Sequence, residues 1–169
     1  MVFLRKAHVK VLAVLVLISS IGVGGCGNRN GSYAFNRMMV LEAEQGDPHA
    51  QFYLGEYYLA KRKDRVENCD IAMQYLKQAA SQSHDLAQNR LGDEYLEGQN
   101  CVKQDYKRAM FWYQKAADQG LAKSKMRIAE MYEKGQGVVQ NMEKAAKWHK
   151  EADEGDSRII VLIGSGVKK

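Results

Sequence analysis

The chain repeats itself with a period of about 37 residues, and this self-similarity constrains its fold more than any other feature. The pattern A-x-x-x-L-G-x-x-Y begins at Ala50 and again at Ala87, and a relaxed copy, S-x-x-x-I-A-x-x-Y, begins at Ser124. A second pattern, A-x-x-Y/W-x-x-Q/K-A-A, begins at Ala72 and at Ala109, and a shortened copy follows near the carboxyl end. A short fixed period is the signature of a solenoid, in which each repeat packs only against its neighbours.

Each half of the repeat has the periodicity of an amphipathic helix. Ala87, Leu91 and Tyr95 are spaced i, i+4, i+8, which places them on one face of a helix. Small residues beside this stripe predict close approach of the partner helix, at Gly55, Gly92 and Ala129. Aromatic residues at repeat positions are predicted to fill the core: Tyr58, Tyr75, Tyr95, Trp112, Tyr113, Tyr132 and Trp148. The sequence therefore predicts an all-α fold.

Capping residues indicate where the helices begin and end. Side chains able to accept a hydrogen bond from an unpaired backbone N–H precede the second helices, at Asn68, Asp105 and Asn141. A small residue closes each repeat, namely Gly46, Ser83, Gly120 and Gly155. Glycine just past a helix end adopts positive φ cheaply, which predicts a helix end at each of the three glycines.

Taken together, these positions resemble the Sel-one-like repeats, relatives of the tetratricopeptide repeats, over residues 46–155. The second copy carries most of the pattern: Leu91, Gly92, Tyr95, Gly98, Val102, Asp105, Ala109, Trp112, Tyr113, Lys115, Ala116, Ala117, Gln119 and Gly120. The third copy matches at its loop, with Gly135, Gly137, Val138 and Asn141. The first copy departs from the pattern, because residues 61–65 are charged where glycines are expected, and we expect an irregular loop there.

The resemblance implies a right-handed α-solenoid of antiparallel helix pairs. Its parts would be a half-repeat at 36–46, repeats at 47–83, 84–120 and 121–155, a half-repeat at 156–164 and a tail at 165–169. The apolar run 159–163 favours docking of this last half-repeat on the solenoid end; a disordered tail and a contact for a partner are the alternatives. In this family the first helices line the concave side of the solenoid. A concave face that mixes Tyr, Arg and carboxylates suits a protein or peptide ligand, since Tyr and Arg dominate interface energetics. The residues predicted to contact a protein or peptide there are Tyr53, Glu56, Tyr57, Arg90, Asp93, Glu94, Arg127, Glu130 and Met131. A merely solvated inner surface is the alternative.

Residues 1–25 have the features of a targeting segment. A basic start is followed by the apolar run 11–18, which is shorter than the roughly 20 residues that span a bilayer. The run ends at Val23-Gly24-Gly25-Cys26, which resembles the lipobox of bacterial lipoproteins. The resemblance implies cleavage before Cys26, lipidation of its thiol and a flexible tether over 26–35; Gly27 favours the outer membrane. An uncleaved membrane anchor and an ordinary signal peptide remain alternatives.

The charge of the chain does not indicate a nucleic-acid partner. The net charge of +5 includes three basic residues in 1–25, so the processed chain would be near +2. The remaining cations alternate with Asp and Glu, as on ordinary solvated helices. We expect a monomer, anchored to the membrane by its lipid, that binds a protein and no nucleic acid.

Two cysteines remain after Cys26. Cys69 and Cys101 lie in adjacent repeats on the same predicted edge of the solenoid. A disulfide between them and a pair of free thiols are both compatible with the sequence, since sequence alone does not fix the distance between the Cα atoms.

Catalytic and metal-binding patterns are weak. His49, His84 and His149 are predicted in turns or on helix surfaces, without metal-ligand spacing to another His or Cys. Asp93 and Glu94 are predicted to be solvated. We expect no cofactor, no metal and no enzyme activity. The alternative is an enzyme that binds or hydrolyses β-lactams, a function described for cysteine-rich members of the family.

Overall fold

The computed structural model describes residues 30–61, 67–98 and 101–165, and the side chains of 37–61, 67–98 and 101–154. This part of the chain is all helix and turn, without a strand, which confirms the predicted fold class. The chain divides into two units, Met1–Ala34 and Phe35–Lys169, and all repeats lie in the second. The helices are α1 (Asn30–Glu44), α2 (Pro48–Ala60), α3 (Glu67–Ser81), α4 (Asp85–Glu97), α5 (Tyr106–Asp118), α6 (Ala122–Lys134) and α7 (Met142–Ser165).

Consecutive helices form three hairpins. The most extensive packing joins α2 to α3, α4 to α5 and α6 to α7, and smaller interfaces join α3 to α4 and α5 to α6. The carboxyl end of α1 covers the first hairpin, because Ala43 packs in one cluster with Ala50 and Leu54. Each hairpin therefore packs mainly on the next one along the chain, as expected for a repeat protein.

Glycines allow close contact within the hairpins, as predicted. A Cβ at Gly55 of α2 would lie 2.7 Å from the side chain of Leu76 in α3. In the second hairpin, a Cβ at Gly92 would overlap the ring of Tyr113. The partner residue fills the space that the missing side chain leaves. Tyr95 and Tyr113 are fully buried; the other predicted core aromatics are partly buried and pack on the core, at Tyr58, Tyr75, Trp112, Tyr132 and Trp148.

Two of the three predicted caps are confirmed. Asp105 accepts a hydrogen bond from the backbone N–H of Arg108 at 3.0 Å, and Asn141 accepts one from Lys144 at 2.8 Å. The prediction for Asn68 is wrong. Because α3 begins at Glu67, Asn68 lies inside the first turn, and its amide donates to the Lys61 carbonyl instead, at 2.8 Å.

The small closing residues behave as predicted in the first three cases. Gly46, Ser83 and Gly120 have φ values of 97°, 64° and 94°, in the left-handed region. Gly155 does not end a helix, because α7 runs through it to Ser165, so the predicted boundary at 155/156 and the separate half-repeat 156–164 are wrong. One internal glycine costs only about 1 kcal/mol.

The N-terminal boundary also differs from the prediction. The tether was expected over 26–35, but α1 begins at Asn30, so residues 30–35 are helical. Helix extension from an existing nucleus requires only one residue to be fixed at a time, which favours growth beyond the predicted start at residue 36. The predicted targeting segment 1–25 and Cys26 lie outside the described residues.

Candidate functional site

The first helices α2, α4 and α6 carry the predicted contact surface. Tyr53 is 60% exposed and Tyr57 is 38% exposed on α2. The remaining surface positions are partly exposed polar residues. We define the first-helix face as the six predicted residues that reach the surface and the adjacent Lys123: Tyr53, Glu56, Tyr57, Arg90, Lys123, Arg127 and Glu130.

Three predicted contact residues are buried, and the prediction is wrong for them. Asp93, Glu94 and Met131 have exposed fractions of 5%, 2% and 1%. The close approach of α5 at Gly92 brings the Tyr113 ring over α4, and the Tyr113 hydroxyl reaches Asp93. Met131 belongs to the core of the second and third hairpins. None of the three side chains is available to a partner.

Asp93 instead joins three helices. Its Oδ1 accepts from the Tyr113 hydroxyl of α5 at 2.7 Å and lies 3.4 Å from Nε of Arg127 on α6. Its Oδ2 accepts from Asn89 at 3.2 Å and lies 3.5 Å from Nζ of Lys123. A buried carboxylate with several donors is well satisfied, so this cluster fixes α6 against the second hairpin.

The ionisation of this cluster follows from its surroundings. Burial raises the pKa of Tyr113, and the adjacent Asp93 carboxylate raises it further, so the phenol stays protonated and donates. Burial alone would lower the pKa of Arg127, but Asp93 and Glu130 outweigh it and the net direction is upward. Arg127 therefore stays charged.

Arg90 of α4 links the first two hairpins through ion pairs with two carboxylates. Its guanidinium lies 2.9 Å from a carboxylate oxygen of Glu56 on α2 and 3.1 Å from one of Glu94. On α6, Arg127 lies 3.1 Å from Glu130. Cations and carboxylates thus alternate across the first-helix face, and the two exposed tyrosines lie at its α2 end.

Glutamine side chains form a second set of links that was not predicted from the sequence, with one pair inside each of the first two hairpins. The side chain of Gln82 donates to that of Gln51 at 2.8 Å, and Gln119 donates to Gln88 at 2.7 Å. Gln51 and Gln88 in turn donate to the carbonyls of the preceding second helices, at Ala43 and Ala80. The signal was present, because both pairs have the same sequence separation of 31 residues.

A disulfide also joins the first two hairpins, near the opposite end of α3 from Gln82. The structure joins Cys69 of α3 to Cys101 in the loop before α5 as a disulfide, with their Cα atoms 4.8 Å apart. Beside it, a cavity of about 510 Å³ is lined by Lys77, Tyr95, Val102, Lys103, Gln104, Asp105 and Arg108.

The histidines make local contacts within the solenoid. His84 lies in the turn before α4, as predicted, where it caps the helix with only 8% of its surface exposed. His149 contacts Glu133 at 3.0 Å. Within the described ranges no three His, Cys, Asp or Glu side chains come together as metal ligands. None of the helices there is both long and apolar enough to cross a bilayer.

A profile of the Sel1 repeat matches residues 48–84, 85–121 and 122–152, and these three segments coincide with the three hairpins. The chain belongs to the Sel1 repeat family. Proteins of this family are generally non-enzymatic scaffolds that bind protein partners. A comparison with curated proteins finds no match.

Two solved structures share the architecture. A Sel1 repeat protein from Oxalobacter formigenes is 27% identical, with a TM-score of 0.62, and the match covers 79% of this chain and 97% of that one. The cysteine-rich protein B of Helicobacter pylori is 23% identical, with a TM-score of 0.57, covering 78% of this chain and 93% of that one. The second similarity concerns the fold alone.

Proposed function

We propose that this Sel1 repeat protein is a lipid-anchored scaffold of the bacterial envelope that holds a protein partner on the first-helix face. The observation that carries the proposal is the exposure of Tyr53 and Tyr57 on a face whose other side chains are held in place. Tyrosine and arginine supply much of the energy in protein interfaces, and both occur here.

Rigidity of the face supports binding. Arg90 and Arg127 are each held by two carboxylates, and buried Asp93 connects α4 to α6. A side chain that is ordered before binding loses less conformational entropy when the partner arrives. The balanced charges favour a partner with its own mixture of cations and carboxylates over a strongly charged polymer.

The anchoring part of the proposal rests on the sequence of residues 1–26. A basic start, a short apolar run and small residues before Cys26 fit a processed and lipidated N terminus. The Cys69–Cys101 disulfide supports an oxidising compartment, because such bonds persist in the periplasm and are rare in the cytosol.

Affinity capture from native envelopes tests the binding face. The wild-type chain is compared with a Tyr53→Ala/Tyr57→Ala variant and with Phe111→Ala, which removes a ring of similar exposure, 53%, from a second helix. We expect one partner to be captured by wild type and Phe111→Ala, and to be lost from the tyrosine variant. Equal capture by all three chains would contradict the proposed face, and turnover of a chromogenic β-lactam by the purified protein would contradict the scaffold function.

Substitution of Cys26 tests the anchor. Cys26→Ser removes the thiol that would carry the lipid, so we expect an unprocessed precursor that incorporates no labelled fatty acid. The measurement is metabolic labelling followed by fractionation, with Cys69→Ser as a control that leaves Cys26 intact. Unchanged labelling and membrane association of Cys26→Ser would show that the lipoprotein assignment is wrong.

A further inference from the structure

Two imidazole rings meet at the junction between the first two hairpins. Nε2 of His84 lies 3.0 Å from Nδ1 of His49, and the rings are arranged edge to face. The His84 ring also stacks on Phe52, with 4.9 Å between the centroids. His84 precedes α4, whereas His49 and Phe52 belong to α2, so this contact joins the starts of two first helices.

The position of one proton follows from the cap of α4. Nδ1 of His84 accepts the backbone N–H of Ala87 at 3.2 Å, so this nitrogen carries no proton. Neutral His84 is therefore protonated on Nε2, which donates to Nδ1 of His49. The contact thus has a place for one proton, between the two rings.

An additional proton disrupts this arrangement whichever ring accepts it. On His84 it would occupy Nδ1 and remove the acceptor of the Ala87 N–H. On His49 it would occupy Nδ1 and face the proton on Nε2 of His84. A cationic ring would also lie at the N-terminus of α4, where the helix dipole disfavours positive charge.

Charged groups around His84 act in both directions. Burial lowers the pKa of His84, and His49 lowers it further, whereas Asp85 and Asp47 raise it by a smaller amount. Asp47 and His49 come from the start of α2 and Asp85 from α4. The last turn of α3, residues 78–81, contains no charged side chain. The folded protein therefore disfavours protonation of His84.

The residues at the corresponding cap positions of the other two hairpins are not histidines. Asp47 caps α2 with a carboxylate that accepts from Ala50 at 2.7 Å. Leu121 precedes α6 and makes no side-chain cap. Among the three hairpins, histidine at the cap occurs in the middle one.

We propose that His49 and His84 form a proton-sensitive joint that holds α4 against α2 when both rings are neutral and releases the start of α4 in mildly acidic conditions. Because the folded state disfavours protonation of His84, the stabilisation is complete above the ordinary histidine pKa of about 6.5 and is lost as the pH falls from there through the lowered pKa of His84 in the folded protein. The inference concerns the repeat itself and does not depend on the proposed partner.

Hydrogen exchange of backbone amides in the full-length protein tests the joint. Protection of Ala87 is measured at about pH 7.5 and about pH 5, with correction for the intrinsic rate, and the Ala50 amide is the internal control. We expect protection of Ala87 to fall about fivefold, the size typical for loss of one helix cap, while protection of Ala50 changes less. Unchanged protection of Ala87 would overturn the proposal.

Two variants separate the joint from general acid sensitivity. Asparagine caps helices without titrating, so His84→Asn should keep Ala87 protected at both pH values. In His49→Gln the like-charged neighbour is absent, so the midpoint of the loss should move to higher pH. A loss in His84→Asn equal to that of the wild type, or an unchanged midpoint in His49→Gln, would overturn the proposal.

Discussion

At the scale of single residues, the second repeat is distinguished by the pairing of Asp93 with Tyr113. The repeat counterparts of Asp93 are Glu56 and Glu130, which reach the surface, and the counterpart of Tyr113 in the first repeat is Leu76, which has no hydroxyl. A short carboxylate opposite a buried phenol can therefore turn inward and be satisfied. Burial of Asp93 depends on having Tyr113 where the first repeat has Leu76, so the repeat pattern alone does not predict it.

Removal of the Tyr113 hydroxyl should destabilise the protein. In Tyr113→Phe the buried Asp93 oxygen loses its 2.7 Å donor, and an unsatisfied buried group costs about 1–3 kcal/mol. Chemical denaturation measures the change in the free energy of unfolding. Tyr106→Phe is the matched control, because Tyr106 is only partly buried and should change stability by less than about 0.5 kcal/mol. Equal effects of the two variants would contradict the role of Asp93.

At the scale of helices, most ends follow the chemistry of the residues that cap them. Asp105 and Asn141 cap their helices as their residue types predict, and Gly120 adopts positive φ. Gly155 has the same residue type and the same repeat position, yet it remains helical inside α7. One glycine inside a helix costs only about 1 kcal/mol, so its residue type alone does not determine where a helix ends.

The disulfide links α3 to the loop before α5, so its loss should lower stability. Cys69 and Cys101 are 32 residues apart, and cross-linking a span of that length stabilises by about 3–4 kcal/mol in the chain-entropy account. We expect Cys69→Ser, Cys101→Ser and the double variant to lose similar amounts, measured as melting temperature. Reductant should lower the melting temperature of the wild type and leave that of the double variant unchanged.

A melting temperature of the wild type that does not respond to reductant, under conditions in which all thiols become reactive, would show that the bond does not contribute to stability. Cys69 is buried and Cys101 is only partly buried. Unequal losses of melting temperature in the two single variants would therefore indicate that packing of the side chains contributes to stability in addition to the bond.

At the scale of the whole molecule, periodicity predicts the hairpins well because each repeat must bury the same stripe against its neighbour. The all-α fold and the close contacts at Gly55 and Gly92 follow from that requirement. The face that remains outside is harder to predict, because its residues differ from repeat to repeat. Asp93 turned inward and His84 became buried through contacts with particular neighbours, and neither contact is part of the repeat pattern.

Site-specific photo-crosslinking in living cells tests the binding claim most directly. A photoreactive aromatic amino acid is placed at Tyr53 on the first-helix face or at Phe111 on a second helix; both positions are more than half exposed. We predict one discrete crosslinked protein from position 53, which disappears when Tyr57→Ala is added, and no such product from position 111. The same product from both positions, or only from position 111, would contradict the assignment of the first-helix face as the binding surface.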